Sequence, residues 1–127
     1  MSVAATAAIA LLLATNAEVA NQPCVKEGLA LSTDFRKCAV AKAGELEPSG
    51  ESAGDIAAAA ISSCGEIKAK YLTAVMTCLP QTLVTALGDH LDSVARDNAT
   101  QAVVEMRAAK NPKQDTQPPN LGQRQPN

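Results

Sequence analysis

The amino-acid sequence predicts an all-α protein, a disulfide-stapled antiparallel helical hairpin with a long third helix laid against it. Three observations predict this. Alanine supplies 25 of the 127 residues, which favours closely packed helices over a sheet built from β-branched and aromatic side chains. One Phe, one Tyr and no Trp leave no material for a voluminous aromatic core. The four cysteines form two equally spaced pairs, Cys24 with Cys38 and Cys64 with Cys78, each 14 residues apart. That interval is two heptads and places both members of a pair on one helical face.

The first residues read as an export signal. Val3 to Ala14 is an Ala- and Leu-rich run interrupted only by Thr6, and Asn16 and Glu18 close it before it is long enough to span a bilayer. Residues 1–20 are therefore expected to form a signal peptide, with cleavage near Ala17 or Ala20. The n-region lacks a basic side chain, so an uncleaved Ala-rich first helix is the alternative. The cysteines favour export, because an even number of them follows the apolar run and none lies inside it, as for thiols that pair in an oxidising compartment. With no membrane span left after signal removal, the expected location is periplasmic or secreted.

A helical domain over 21–110 follows. Its first helix is expected from about Pro23 to Ala43, with Asn21 or Gln22 at the cap, Pro23 in the first turn and Gly44 as the stop. Pro48-Ser49-Gly50 marks a turn. A second helix is expected from about Ala53 to Leu79, with Ser52 as N-cap and Asp55 supporting the first turn.

Two cysteines 14 residues apart on one helix lie about 21 Å apart, whereas bridged Cα atoms lie about 4.4 to 6.8 Å apart. The bridges must therefore cross between helices. Antiparallel packing pairs Cys24 with Cys78 and Cys38 with Cys64, and both pairs are symmetric about residue 51, inside the turn. The same pivot sets Gly28 against Ala74, Leu31 against Tyr71, Phe35 against Ile67 and Lys42 against Ala60. A parallel arrangement would set Gly28 against Lys68 and run the short connection back along the helix, against the preference of short loops for antiparallel neighbours. Closing loops of 54 and 26 residues stabilises the fold by about 3 to 4 kcal/mol for the first bridge, less for the second.

The third helix is expected over Gln81 to Lys110. Val84, Leu87, Leu91, Val94, Ala102, Val103 and Met106 keep helical spacing, interrupted at Asn98. Pro80 marks its first turn or a kink. Its stripe is expected to cover outward apolar residues of the hairpin such as Leu29, Val40, Leu72 and Val75. Residues 111–127, rich in Pro and Gln with one large apolar residue, are expected to be a disordered tail.

Few residues offer chemistry. His90 is the single histidine, and Asp89 and Asp92 flank it off its own helical face. The cysteine spacing suits neither zinc ligation nor a Cys-x-x-Cys redox site. Glu45, Glu47, Glu51 and Asp55 make an acidic patch without the spacing of a calcium loop, read as a solvated acidic turn. Asn98-Ala99-Thr100 matches a glycosylation acceptor but falls inside the third helix. A net charge of −2 with no basic block disfavours nucleic-acid binding. No catalytic, cofactor or metal residue is expected, and Cys24, Cys78, Cys38 and Cys64 are structural.

The stretch Leu46-Glu47-Pro48-Ser49-Gly50-Glu51-Ser52-Ala53 through Ala57-Ala58-Ala59-Ala60-Ile61-Ser62-Ser63-Cys64, followed by Tyr71, resembles small exported Ala-rich bacterial helical proteins of unknown function. These pair a Cys-bearing helix with an Ala-rich one after a Ser/Glu-rich turn. Covering about residues 24–107, the resemblance implies export and a helical fold and carries no active site. The function expected is that of an exported, non-enzymatic structural or protein-interaction module with a protein partner. The alternative is a carrier of a small apolar ligand or lipid of the cell envelope.

Overall fold

A computed structural model describes residues 22–111. The expected signal segment and its cleavage sites, and the expected tail, lie outside the described residues. Four helices account for nearly all of the rest: α1 (Pro23–Leu46), α2 (Ala53–Ser63), α3 (Gly65–Met76) and α4 (Gln81–Lys110), with a 3-10 turn at Glu47–Ser49. No strand occurs among the described residues. α1 and the α2–α3 arm form the antiparallel hairpin, and α4 packs along it, against α1 and α2 more closely than against α3.

Both bridges fall where the pivot at residue 51 places them. Cys24 is bonded to Cys78 with Cα atoms 6.4 Å apart, and Cys38 to Cys64 at 6.1 Å. The chain reverses between Leu46 and Ala53, where Gly50 takes φ +78°, a left-handed conformation that a Cβ would strain. Ser52 caps α2 as expected, its Oγ accepting from the Asp55 N–H at 3.2 Å. Pro23 occupies the first turn of α1, and Gln22 takes the cap position without a side-chain cap bond.

Two helix boundaries differ from expectation. α1 does not stop at Gly44 but continues to Leu46. Gly44 serves instead as a contact point, since a Cβ there would lie 3.2 Å from Met106 Cε of α4. The arm expected as one helix over Ala53 to Leu79 is two, separated at Cys64, whose φ of −101° and ψ of 13° leave the helical region. The run Ser62-Ser63-Cys64-Gly65 explains the break: each residue is a poor helix former, and Ser63 Oγ donates back to the Ala59 carbonyl at 3.0 Å, a bond that bends helices.

The core is small-residue packing around two rings, Phe35 and Tyr71. Phe35, Ala39 and Ala43 of α1 meet Ile56, Ala57, Ala60 and Cys64 of the arm and Ala95, Ala99 and Val103 of α4, all buried. The face α4 buries is Val84, Gly88, Leu91, Ala95, Ala99, Val103. It shares Val84, Leu91 and Val103 with the expected stripe, but Leu87 and Val94 lie to one side and are only half buried. Alanine and glycine win these positions because their small volume lets helix axes approach, and close approach recovers dispersion contacts that larger residues at a wider spacing would lose. Gly28 likewise faces Val75 and Tyr71: a Cβ there would fall 2.6 Å from Val75 Cγ1.

At the hairpin end, Glu47 is 6% exposed and pairs with Arg107 Nε at 3.7 Å and with the Lys110 ammonium. The Arg107 guanidinium also donates to the Glu51 carbonyl. Two cations in the last turn of α4 suit the negative end of its dipole, and through Glu47 they tie that end to the turn.

Candidate functional site

α4 presents two neighbouring faces, and the second one builds the site. Beside the buried face run Leu83, Leu87, His90, Val94 and Asn98, at successive steps of three or four residues. That spacing keeps them on one side of the helix. Leu87, His90, Leu91 and Val94 oppose Leu29, Ser32 and Arg36 of α1 across a cavity of about 260 Å³, with Tyr71 of α3 completing the wall. Arg36 also belongs to a second cavity of about 490 Å³, bounded by Thr33, Lys37, Val40 and Ala41 of α1 and Asn98 of α4. Arg36 lines both, and the two cavities follow one another along the flank of α1 that faces α4, here called the α1–α4 groove.

Leu29, expected beneath α4, is 62% exposed. Leu29 stands across an open cavity from Leu87, His90 and Val94 of α4 and is not covered by them. Leu72 does lie under α4, its Cδ2 being 3.2 Å from a Cβ built at Gly88, whereas Val75 is buried with its Cγ1 against Gly28 of α1. Val40 sits half buried in the groove wall.

The walls of the groove are cationic, with the carboxylates Asp34 and Asp97 exposed on its outer edges. Its ionisable lining groups are Arg36, Lys37 and His90, with no carboxylate among them. Arg36 is half buried, and its contacts are with its own helix: Nε donates to the Ser32 carbonyl and Nη2 to Thr33 Oγ1, each at 3.4 Å. No ion pair to Arg36 or Lys37 occurs among the described residues. Burial raises the Tyr71 phenol above its ordinary value of 10.0 by desolvating the phenolate.

The structure does not bring His90 together with its sequence neighbours. Asp92 pairs with Lys68 of α3, and Asp89 lines a separate cleft between α3 and α4. His90 itself is exposed at the groove. The acidic patch disperses as well: Glu45 pairs with Lys42 at 3.1 Å, and Glu47 is not solvated but buried beneath Arg107 and Lys110. No group of three or more His, Cys, Asp or Glu side chains is placed to hold a metal ion among the described residues. Asn98-Ala99-Thr100 lies within α4, with Ala99 fully buried. All four cysteines are bridged and structural. None of the described helices is long and apolar enough to cross a membrane.

The groove itself was missed at the sequence level. Its one available sign is that Leu83, Leu87 and Val94 follow a spacing parallel to Gly88, Ala95 and Ala99, which gives α4 two neighbouring faces. No protein-family model matches the chain, and no curated protein or solved structure is significantly similar to it.

Proposed function

We propose that this chain is an exported, non-enzymatic protein-interaction module of the periplasm or extracellular space, and that the α1–α4 groove is its working surface. The observation that carries the reading is the groove: exposed and half-buried apolar side chains gathered around a half-buried, unpaired guanidinium, on a scaffold held by two cross-helix bridges. An exposed apolar surface rimmed by polar groups is characteristic of sites that meet other molecules. The bridges support the export half of the reading, since disulfides persist in oxidising compartments and are rare where thiols are kept reduced. The apolar run at the N-terminus supports it too.

The test is made in the producing cell. A photo-crosslinking amino acid is placed at Leu29 or Val94 in the groove, and at Ala59 or Glu66 on other faces; protein recovered from the exported fraction is analysed by intact mass with and without reduction. Expected are two intact bridges and one discrete protein adduct. Free thiols in the exported protein, or the absence of a discrete adduct from every position, would sink the reading.

A further inference from the structure

We propose that the α1–α4 groove receives an acidic amphipathic helix from a partner protein, an assignment that rests on the interaction-module reading above. Shape, charge and exposure each point to this occupant.

The groove is bounded by two helices over matching lengths. Leu29 to Val40 on α1 and Leu87 to Asn98 on α4 each cover 11 residue steps, which at 1.5 Å per residue is about 17 Å, three helical turns. A seam between two packed helices presents side-chain ridges into which the ridges of a third helix fit. Helix-in-groove docking uses apolar anchors at i, i+3 or i+4, and i+7. Leu87 and Val94, seven residues apart on α4, and Leu29 and Val40 at the two ends of the α1 side supply the apolar wall on the receiving side.

Charge selects the sign of the partner. The chain as a whole carries a net −2, yet the groove gathers Arg36, Lys37 and His90 without one carboxylate. Asp97, seven residues from His90, and Asp34, three from Lys37, stand exposed outside this lining, so the bias belongs to the walls around Arg36. Arg36 spends Nε and one Nη on its own helix, and a guanidinium carries five N–H donors. The remaining donors are free to take a carboxylate, and a planar fork favours bidentate capture. Glu or Asp flanking an apolar stripe at the level of Arg36 and Lys37 would meet both cations.

Exposure argues against a single acyl chain. Small-molecule sites bury roughly 70 to 90% of their ligand, whereas Leu29 at 62% exposure leaves one wall of this groove open. A partner helix closes such a wall with its own side chains and continues onto Leu83, the next residue of the same α4 face, itself 42% exposed.

The experiment uses the full bridged chain and a labelled helical peptide of roughly 16 residues, long enough to hold a helix when docked, with a leucine stripe flanked by Glu. Its twin carries Lys in place of Glu, and dodecanoate is titrated separately. The acidic peptide is expected to saturate, with backbone amide shifts confined to residues 29–41 and 83–98, and to bind at least about tenfold tighter than the twin, a difference of about 1.4 kcal/mol. Arg36→Glu is expected to abolish or invert that preference. The twin comparison on the unaltered protein decides the charge argument even if the variant misfolds. Equal binding of the two peptides overturns the proposal, as do shifts mapping elsewhere or dodecanoate filling the groove while the acidic peptide does not. Self-association that buries the groove without peptide also overturns it. Should the peptides fail while a cross-linked adduct forms from Ala59 or Glu66, the groove assignment falls and the interaction module stands. Should they succeed while no adduct forms in the cell, the reverse holds.

Discussion

Tyr71 is where burial, chemistry and the site meet in one side chain. It lies 6% exposed in the hairpin interface and also closes the wall of the groove. Because the chain has one Tyr and no Trp, phenolate absorbance near 295 nm reports this residue alone. Desolvation raises its folded pKa above 10.0, so as pH climbs through that value the unfolded phenol ionises while the folded one keeps its proton. The unfolded state then binds fewer protons than the folded one, and stability falls as pH rises above 10.0; below it the phenol is neutral in both states and contributes no pH dependence. The measurement is the absorbance titration of native and urea-unfolded protein: the native curve should lie at higher pH, and coincident curves would place Tyr71 in solvent. Symmetry about residue 51 put Tyr71 in the seam opposite Leu31; in the structure it is buried there with its ring against Gly28. Glu47 shows the opposite outcome. In the sequence it is one acid among four near a turn; only the fold brings Arg107 and Lys110, 60 and 63 residues away, over its carboxylate.

Among the elements, what could be read in advance was whatever follows from spacing. The cysteine intervals placed both bridges and the chain reversal, and periodicity placed α4 at Gln81–Lys110. What escaped depends on volume and local propensity, which spacing does not encode. The α2–α3 break at Cys64 leaves the hydrophobic period unchanged and so was invisible to it. On α4, ranking residues by apolar bulk selected Leu87 and Val94 over Ala95 and Ala99, although the small residues are the ones that let the axes close. The groove is the remainder of that choice, because a helix seated on alanines leaves its larger flanking side chains uncovered. The α1–α3 crossing rests on the same kind of approach at Gly28. Gly28→Ala gains roughly 1 kcal/mol of helix propensity, but Val75 is β-branched, stiff in a helix and buried, and the added carbon would sit 2.6 Å from its Cγ1. Overpacking of this kind typically costs about 1 to 3 kcal/mol, so a net loss of about 1 kcal/mol is expected in chemical denaturation. Gly54→Ala, with nothing within 4 Å, should gain about 0.5 to 1 kcal/mol. Stabilisation by both substitutions would mean that α1 and α3 do not approach this closely.

For the whole molecule, a core of two rings and many alanines removes little apolar area per residue, and the bridges offset the deficit. The chain-entropy model assigns about 3 to 4 kcal/mol to the first bridge and less to the second, against a total of roughly 5 to 15 kcal/mol for a typical domain. The two are not equally protected. In the inner bridge Cys64 is 1% exposed and Cys38 half buried against the core, whereas neither Cys24 nor Cys78 is buried, at the end of the hairpin where α1 begins and α3 ends. Thiol–disulfide exchange needs access to a sulfur, so graded reductant followed by alkylation should yield a mass intermediate labelled at Cys24 and Cys78 before any label reaches Cys38 or Cys64. Full reduction should then remove about 5 kcal/mol in the same model. At roughly 4 to 8 °C per kcal/mol for a domain of this size, the helical melting temperature should fall by about 20 to 40 °C. A fall of only a few degrees would mean that packing alone holds the bundle. In that case the chain would also fold in a reducing cytosol, and the coupling of folding to an oxidising compartment, on which the export reading leans, would be lost.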